Sequence, residues 1–252
     1  MTYNNCDFKE ALKIAWDLTQ PSIFTKKTTK PKEKVILQTP LLQDKINKLL
    51  IKKTQPLQNL ALIQYLESRV INPSIAKDYI QETYYNIWDK SYFWISFKNN
   101  SWWLELNNKY FKWWIWTKDI TTIKYTNSSK LFIFEGLNDF LAYISIAKDK
   151  KSKDYLVLNS VSMVNKAIEY IKNSNYKQVE TYLDNDEAGK NTTWFLLNEL
   201  EPLNLKVKDK SNLYSKHKDL NDYLIFLRDK KVQDLQYQRE NNEILERVRE
   251  RE

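Results

Sequence analysis

Glycine is almost missing from this chain. Only Gly136 and Gly189 occur in 252 residues, where ordinary composition would bring about seventeen. Tight turns and close backbone approaches, which usually fall to glycine, must mostly be made by other residues. Cys6 is the single cysteine, so no internal disulfide can form. His217 is the single histidine, which leaves a Cys/His zinc site without ligands. No apolar run of about eighteen residues is present to span a bilayer. The first residues lack the basic-then-apolar pattern of a secretory leader, so a cytoplasmic protein with no membrane role is expected.

Charge and tryptophan are what the chain has in excess. The formal net charge is +8, and between Lys26 and Lys53 nine lysines face only Glu33 and Asp44. Nearly all the surplus therefore sits in one segment. Such a segment favours a polyanion through phosphate neutralisation, or else is a solvated linker. The nine tryptophans stand in odd places. Trp102-Trp103 follows Lys98-Asn99-Asn100-Ser101, where a hairpin turn calls for glycine. Trp113-Trp114-Ile115-Trp116 and Trp88 also adjoin polar, turn-like residues. Two readings stay open. Either these positions are glycine in the organism, a UGA codon having been read with another genetic code, or they form an aromatic surface on which single-stranded bases stack.

Residues 1–19 read as a helix with Phe8, Leu12 and Ala15 on one stripe, and residues 20–40, with Pro21, Pro31 and Pro40, as a linker. Leu41 to Lys53 reads as a short basic amphipathic helix. Two helices are predicted between Pro56 and Ile80, split at Asn72-Pro73 because proline disfavours helix in the residue before it. From Tyr84 to Ile123 the texture turns to β, with a hairpin of Tyr92–Phe97 and Leu104–Leu106. Strands at 131–134, 155–158, 178–183 and 205–208 then alternate with helices at 137–147, 161–173 and 187–200. That alternation argues for a parallel sheet with right-handed crossovers. The closing residues 229–252 carry six basic and seven acidic side chains and read as a charged helical tail.

Two of these strands end in carboxylates followed by glycine: Glu135-Gly136, and Asp184-Asn185-Asp186-Glu187-Ala188-Gly189. Ligands of an open parallel sheet bind at the carboxyl ends of its strands. Side chains alternate along a strand, so Asp184 and Asp186 can face the same way. Three converging carboxylates repel unless a divalent cation lies among them, and oxygen-only donors suit Mg²⁺ or Mn²⁺. Both glycines fall where the backbone must turn sharply or approach a ligand. The opposing possibility is a plain Asx-type turn beside a surface glutamate.

Glu135-Gly136 with Asp139 three residues on, and Asp184-Asn185-Asp186, resemble the two signature motifs of the Toprim domain. Residues from Pro56 to Phe226 resemble the primase-type Toprim proteins of bacterial mobile elements. The resemblance implies an α/β fold in which a Toprim core, a parallel sheet flanked by helices, follows a small mixed subdomain. It implies an N-terminal helix and basic linker over 1–55, a primase-like subdomain over 56–128, the Toprim domain over 129–228 and the tail over 229–252. It implies a nucleotidyltransferase that makes short RNA primers on single-stranded DNA from NTPs, with a replicative helicase as a further partner. Asp184, Asp186 and Glu135 are then metal ligands, with Glu135 also the general acid or base. Asp139 is an accessory ligand. Asp219 matches the first member of a late acidic pair whose second place Asn221 takes, or else it caps a helix. Lys98, Lys109, Lys112 and Lys118 are candidates for the template groove. In the resembled family a sequence like Tyr3–Leu12 follows a zinc-binding module, which this chain is expected to lack. A Toprim nuclease, or a non-catalytic DNA-binding accessory or remnant protein, are the alternatives.

Overall fold

The computed structural model describes residues 49–249 apart from 88–89, 108–111, 115–116 and 126–127. Every described residue lies in one compact unit. The helix expected over 1–19, the linker over 20–40, Lys109, Trp88 and Trp116 fall outside the described residues.

An antiparallel meander comes first, in the order β1-β2-β3-β4-β5. Its strands are β1 (Leu49–Gln55), β2 (Ile80–Ile87), β3 (Lys90–Lys98), β4 (Leu104–Asn107) and β5 (Lys112–Trp114). Residues 49–53, expected to be helical, are strand. Cross-strand partners decide this. Ile51 pairs with Tyr85 and Lys53 with Tyr84, and the Lys53 ammonium lies 4.6 Å from the centre of the Tyr84 ring. An edge strand with such cross-strand partners outweighs a weak helical propensity. Between β1 and β2 lie α1 (Leu60–Ser68) and α2 (Pro73–Ala76). Both are capped by asparagine: Asn59 accepts from the Ala61 and Leu62 amides, and Asn72 from the Ser74 amide. The split at Asn72-Pro73 is where proline's restriction on its predecessor puts it.

The expected hairpin joins β3 to β4, with Lys98 opposite Leu104. In its turn the Asn99 side chain accepts from the Ser101 and Trp103 amides at 3.1 and 3.0 Å. Trp102 takes φ 67°, a left-handed conformation, and the residue is 79% exposed.

The second sheet has the order β10-β9-β7-β8-β6. Strands β7 (Lys130–Phe134), β8 (Asp154–Val157), β9 (Gln178–Tyr182) and β10 (Lys206–Asp209) are mutually parallel. The edge strand β6 (Thr121–Ile123) runs antiparallel to β8. The crossovers contain α3 (Leu137–Ile146), α4 (Val164–Lys172) and α5 (Glu187–Leu200). This is the α/β architecture expected, with the predicted strands and helices recovered to within a residue or two at most ends.

Period-two alternation explains the burial. Phe132 and Phe134 point into one core, with Phe140, Tyr155, Leu66 of α1 and the meander's Ile95 and Phe97. Leu131 and Ile133 point into the other, with Leu156, Ile168 and Leu196. A parallel sheet covered on both faces needs apolar residues at successive positions, and Leu131-Phe132-Ile133-Phe134 supplies them. The last helix, α6 (Leu220–Arg249), begins beside the sheet and runs on for 30 residues, about 45 Å. Among the described residues no helix is long and apolar enough to cross a membrane.

Candidate active site

The carboxyl ends of β7 and β9 lie side by side, because Phe134 pairs with Tyr182. One residue beyond β7 stands Glu135, and two beyond β9 stands Asp184. Their meeting is direct: the Asp184 amide donates to Oε2 of Glu135 at 3.2 Å. Asp184 is mostly buried. Burial is the main cause that pushes its carboxyl up to about 7, helped by the negative charges of Glu135, Asp219 and Asp186 and opposed by Lys218. Its Oδ2 lies 3.5 Å from the Lys218 ammonium. Burial would lower the Lys218 pKa, but Asp184 and Asp219 outweigh it and raise it. Glu135, Asp219 and Asp186 therefore all act on Asp184. No group of three Asp, Glu, His or Cys side chains among the described residues is gathered closely enough to hold a metal ion as placed.

Each remaining acid has a second task. Asp186 is exposed and is the N-cap of α5, its Oδ1 accepting from the Gly189 amide at 2.9 Å. Asp219 caps α6 through the Asp222 amide at 2.7 Å. Its carboxyl is raised by burial, against the Asp222 amide bond that lowers it. Asp139, in the first turn of α3, is buried and accepts from the Asn221 amide at 3.0 Å. Two carboxylates thus receive amides of the first turn of α6, where the helix dipole favours negative charge. The Asp139 contact with Asn221 holds the start of α6, and with it Asp219, against α3.

The two glycines differ. Gly136 has φ −129° and ψ 164°, a conformation open to any residue, so backbone strain does not require glycine there. Gly189 is another matter: a Cβ on it would lie 2.1 Å from the Asp184 carbonyl oxygen and 2.8 Å from its carbon. The first turn of α5 rests on the peptide of Asp184, and only glycine permits that approach.

Asn185 gives the D-x-D turn a role that spacing alone did not suggest. Its amide donates to the Lys218 carbonyl at 2.7 Å. Its side-chain amide reaches the carbonyls of Tyr214 at 2.8 Å and His217 at 3.0 Å. The buried Tyr214 hydroxyl donates to the Leu183 carbonyl at 2.9 Å. These bonds bind the 211–218 segment to the end of β9 and so deliver Lys218 and Asp219 to Asp184. A basic residue directly before Asp219 was the available signal for Lys218. The long-range partners of Asn185 left no local signal.

Of the basic candidates, Lys98 is exposed at the end of β3, its ammonium 5.7 Å from the centre of the Trp102 ring. Lys118 is half-buried. For Lys112 only the backbone, in β5 opposite Asn107, is described. The meander adjoins the acids through that same Asn107, whose amide lies 3.5 Å from Oδ1 of Asn138. The Asn138 amide in turn donates to the Tyr65 hydroxyl at 2.9 Å. Asn138 lies three residues past Glu135.

Residues 51–115 match a family model described as a domain of unknown function (DUF8464). Residues 132–224 match one described as Toprim-like. Among solved structures, the chain is similar to the primase fragment of the bacteriophage T7 primase-helicase protein. The identity is 15% and the TM-score 0.48, over 73% of this chain and 78% of that one. It is also similar to the Aquifex aeolicus primase comprising zinc-binding and RNA polymerase domains, at 13% identity and a TM-score of 0.42. That likeness covers 60% of this chain and 49% of the other. No curated protein matches it.

Proposed function

We propose, on the premise that this chain carries a Toprim-like domain over residues 132–224, that it is a primase-like nucleotidyltransferase. It makes short RNA primers from NTPs on single-stranded DNA, in the cytoplasm, for replication or transfer of a mobile element, alongside a replicative helicase. The observation that carries this reading is the meeting of Glu135 and Asp184 at the paired ends of β7 and β9, where the Asp184 amide donates to the Glu135 carboxylate at 3.2 Å and burial and the charges of Glu135, Asp219 and Asp186 raise the Asp184 carboxyl. A cluster of this kind is relieved by a divalent cation, and its donors are all carboxylate oxygens, which fit Mg²⁺ or Mn²⁺.

Asp184, Asp186 and Glu135 would hold the ion, with Asp219 approaching from the start of α6. When bound, the ion neutralises charge developing on the transferred phosphoryl group. Glu135 has the further task of accepting the proton of the attacking hydroxyl. The Asp184 amide at 3.2 Å orients its carboxylate for this. Gly189 and Asp186 fix the turn that carries Asp184. Asp139 positions Asp219 through Asn221. Lys98, with Lys109, Lys112 and Lys118, would contact the template backbone, and Trp102 beside Lys98 offers a ring for an unpaired base.

Primer synthesis with Mg²⁺, NTPs and a single-stranded template tests the reading. Glu135→Gln is expected to lower it by at least about a hundredfold, the usual contribution of a positioned acid or base. Activity that survives the substitution refutes the role of Glu135. A second reading, a non-catalytic DNA-binding protein, is favoured by the lack of three metal-competent side chains closed around one point among the described residues. Template binding without synthesis or cutting would support it. Cutting of DNA without NTPs would identify a nuclease.

A further inference from the structure

The positive group acting on Asp184 is Lys218, and its backbone and side chain are held very differently. The backbone is fixed. Its carbonyl accepts from the Asn185 amide at 2.7 Å, and the neighbouring His217 carbonyl accepts from the Asn185 side chain at 3.0 Å. The side chain is 62% exposed, and its head touches Asp184 at 3.5 Å. That is a loose ion pair on a long flexible stem, worth little to stability. A fixed root and a mobile charged head suit a group that must leave its partner and take another. The place it occupies beside Asp184 is one that a divalent cation needs, and two positive charges cannot share it. Once displaced, an ammonium anchored at the rim of the site has phosphate as its natural new partner, since it binds phosphate as a point charge.

We infer that Lys218 is the site's own counter-ion, which occupies the cation's place at Asp184 and passes to a phosphate oxygen of the substrate when the cation binds. This rests on the metal site proposed above. It assigns Lys218 two successive partners. Before loading it offsets the carboxylates that would otherwise repel one another across Asp184. After loading it contributes a charge to the substrate's phosphate without having to be recruited from elsewhere. Exposure of the side chain, and its lack of any role in the core, mean that its replacement leaves the fold intact.

The test is calorimetric titration of Mn²⁺ into the full chain without substrate, for the native protein, Lys218→Gln and Lys218→Arg. Removing a unit charge a few ångströms from the binding point in a solvent-exposed setting is expected to tighten Mn²⁺ binding by about three- to tenfold. Lys218→Arg, which keeps the charge, should stay close to native. With Mn²⁺ saturating, affinity for GTP and for a single-stranded oligodeoxynucleotide is then measured separately. Loss confined to GTP assigns the second partner to the nucleotide's phosphates, and loss confined to the oligodeoxynucleotide assigns it to the template. Equal Mn²⁺ affinity in native and Lys218→Gln proteins overturns the counter-ion role. Unchanged affinity for both substrates overturns the transfer to phosphate. Mn²⁺ binding to neither protein overturns the metal site itself, and this inference with it.

Discussion

Gly189→Ala sets helix propensity against contact geometry, and the two predict opposite signs. Gly189 lies in the first turn of α5, where alanine ordinarily gains about 1 kcal/mol over glycine. Yet the added Cβ would lie 2.1 Å from the Asp184 carbonyl oxygen. Close carbon–oxygen contacts normally settle near about 3.3 Å, so the shortfall is roughly 1 Å. Both sides of the clash are backbone, and no rotamer change relieves it. Either the start of α5 or the end of β9 must shift, at an overpacking cost of about 3 kcal/mol or more. The net expectation is a loss of about 2 kcal/mol. With a urea slope of about 2 kcal/mol per molar, the midpoint should fall by about 1 M at unchanged slope. Because the shift moves Asp184 relative to Glu135, Mn²⁺ affinity should fall as well. A midpoint that rises, as propensity alone requires, would refute the close approach of α5 to Asp184.

Two further outcomes concern positions away from the acids. Trp102 holds φ 67°, which costs a residue with a Cβ about 1 kcal/mol, so Trp102→Gly should exceed Trp102→Ala in stability by about that amount. A glycine-demanding turn also bears on the genetic-code reading, and peptide mass spectrometry of the natively expressed protein decides it: tryptophan found at position 102 ends that reading. Asp119 is buried, which opposes its ionisation, but bonds from Lys166 at 2.8 Å, Ser101 and the Ile120 amide outweigh this and hold its carboxyl below the usual range. Its folded value is lower than its unfolded value, so its contribution to stability is complete above about pH 3.9 and is lost as pH falls through the folded value. Asp119→Asn should flatten the stability–pH curve in that acid window and cost about 1–3 kcal/mol at neutral pH. Denaturant melts from pH 2 to 7 would show this, and an unchanged acid limb would count against it.

The parallel sheet was legible because its signal is local: apolar runs such as Leu131–Phe134 and amphipathic helices between them are written in neighbouring residues. The acid pair was legible for the same reason, since each carboxylate closes a strand and precedes a turn. What escaped depends on partners far along the chain. Leu49 and Leu50 continue the helical spacing of Leu42 and Ile46, but pairing with Tyr84 and Tyr85 makes residues 49–53 a strand. Asp139 stands at its family-like spacing, yet its carboxylate meets an amide 82 positions later. Gly136 and Gly189 look alike in the sequence. Only the packing of α5 on the Asp184 peptide marks Gly189 as obligatory.

The apolar face that Phe134, Phe140 and Tyr155 share with Leu66, Ile95 and Phe97 limits how this protein can be taken apart. A cassette cut at residues 132 and 224 would carry those rings into solvent, and an excised meander would do the same with its own. Recombination could not graft the Toprim-like half onto an unrelated leader unless the newcomer brought a matching oily surface. The halves are therefore expected to travel between genes together, and a soluble fragment for crystallography or screening has to begin ahead of the first strand.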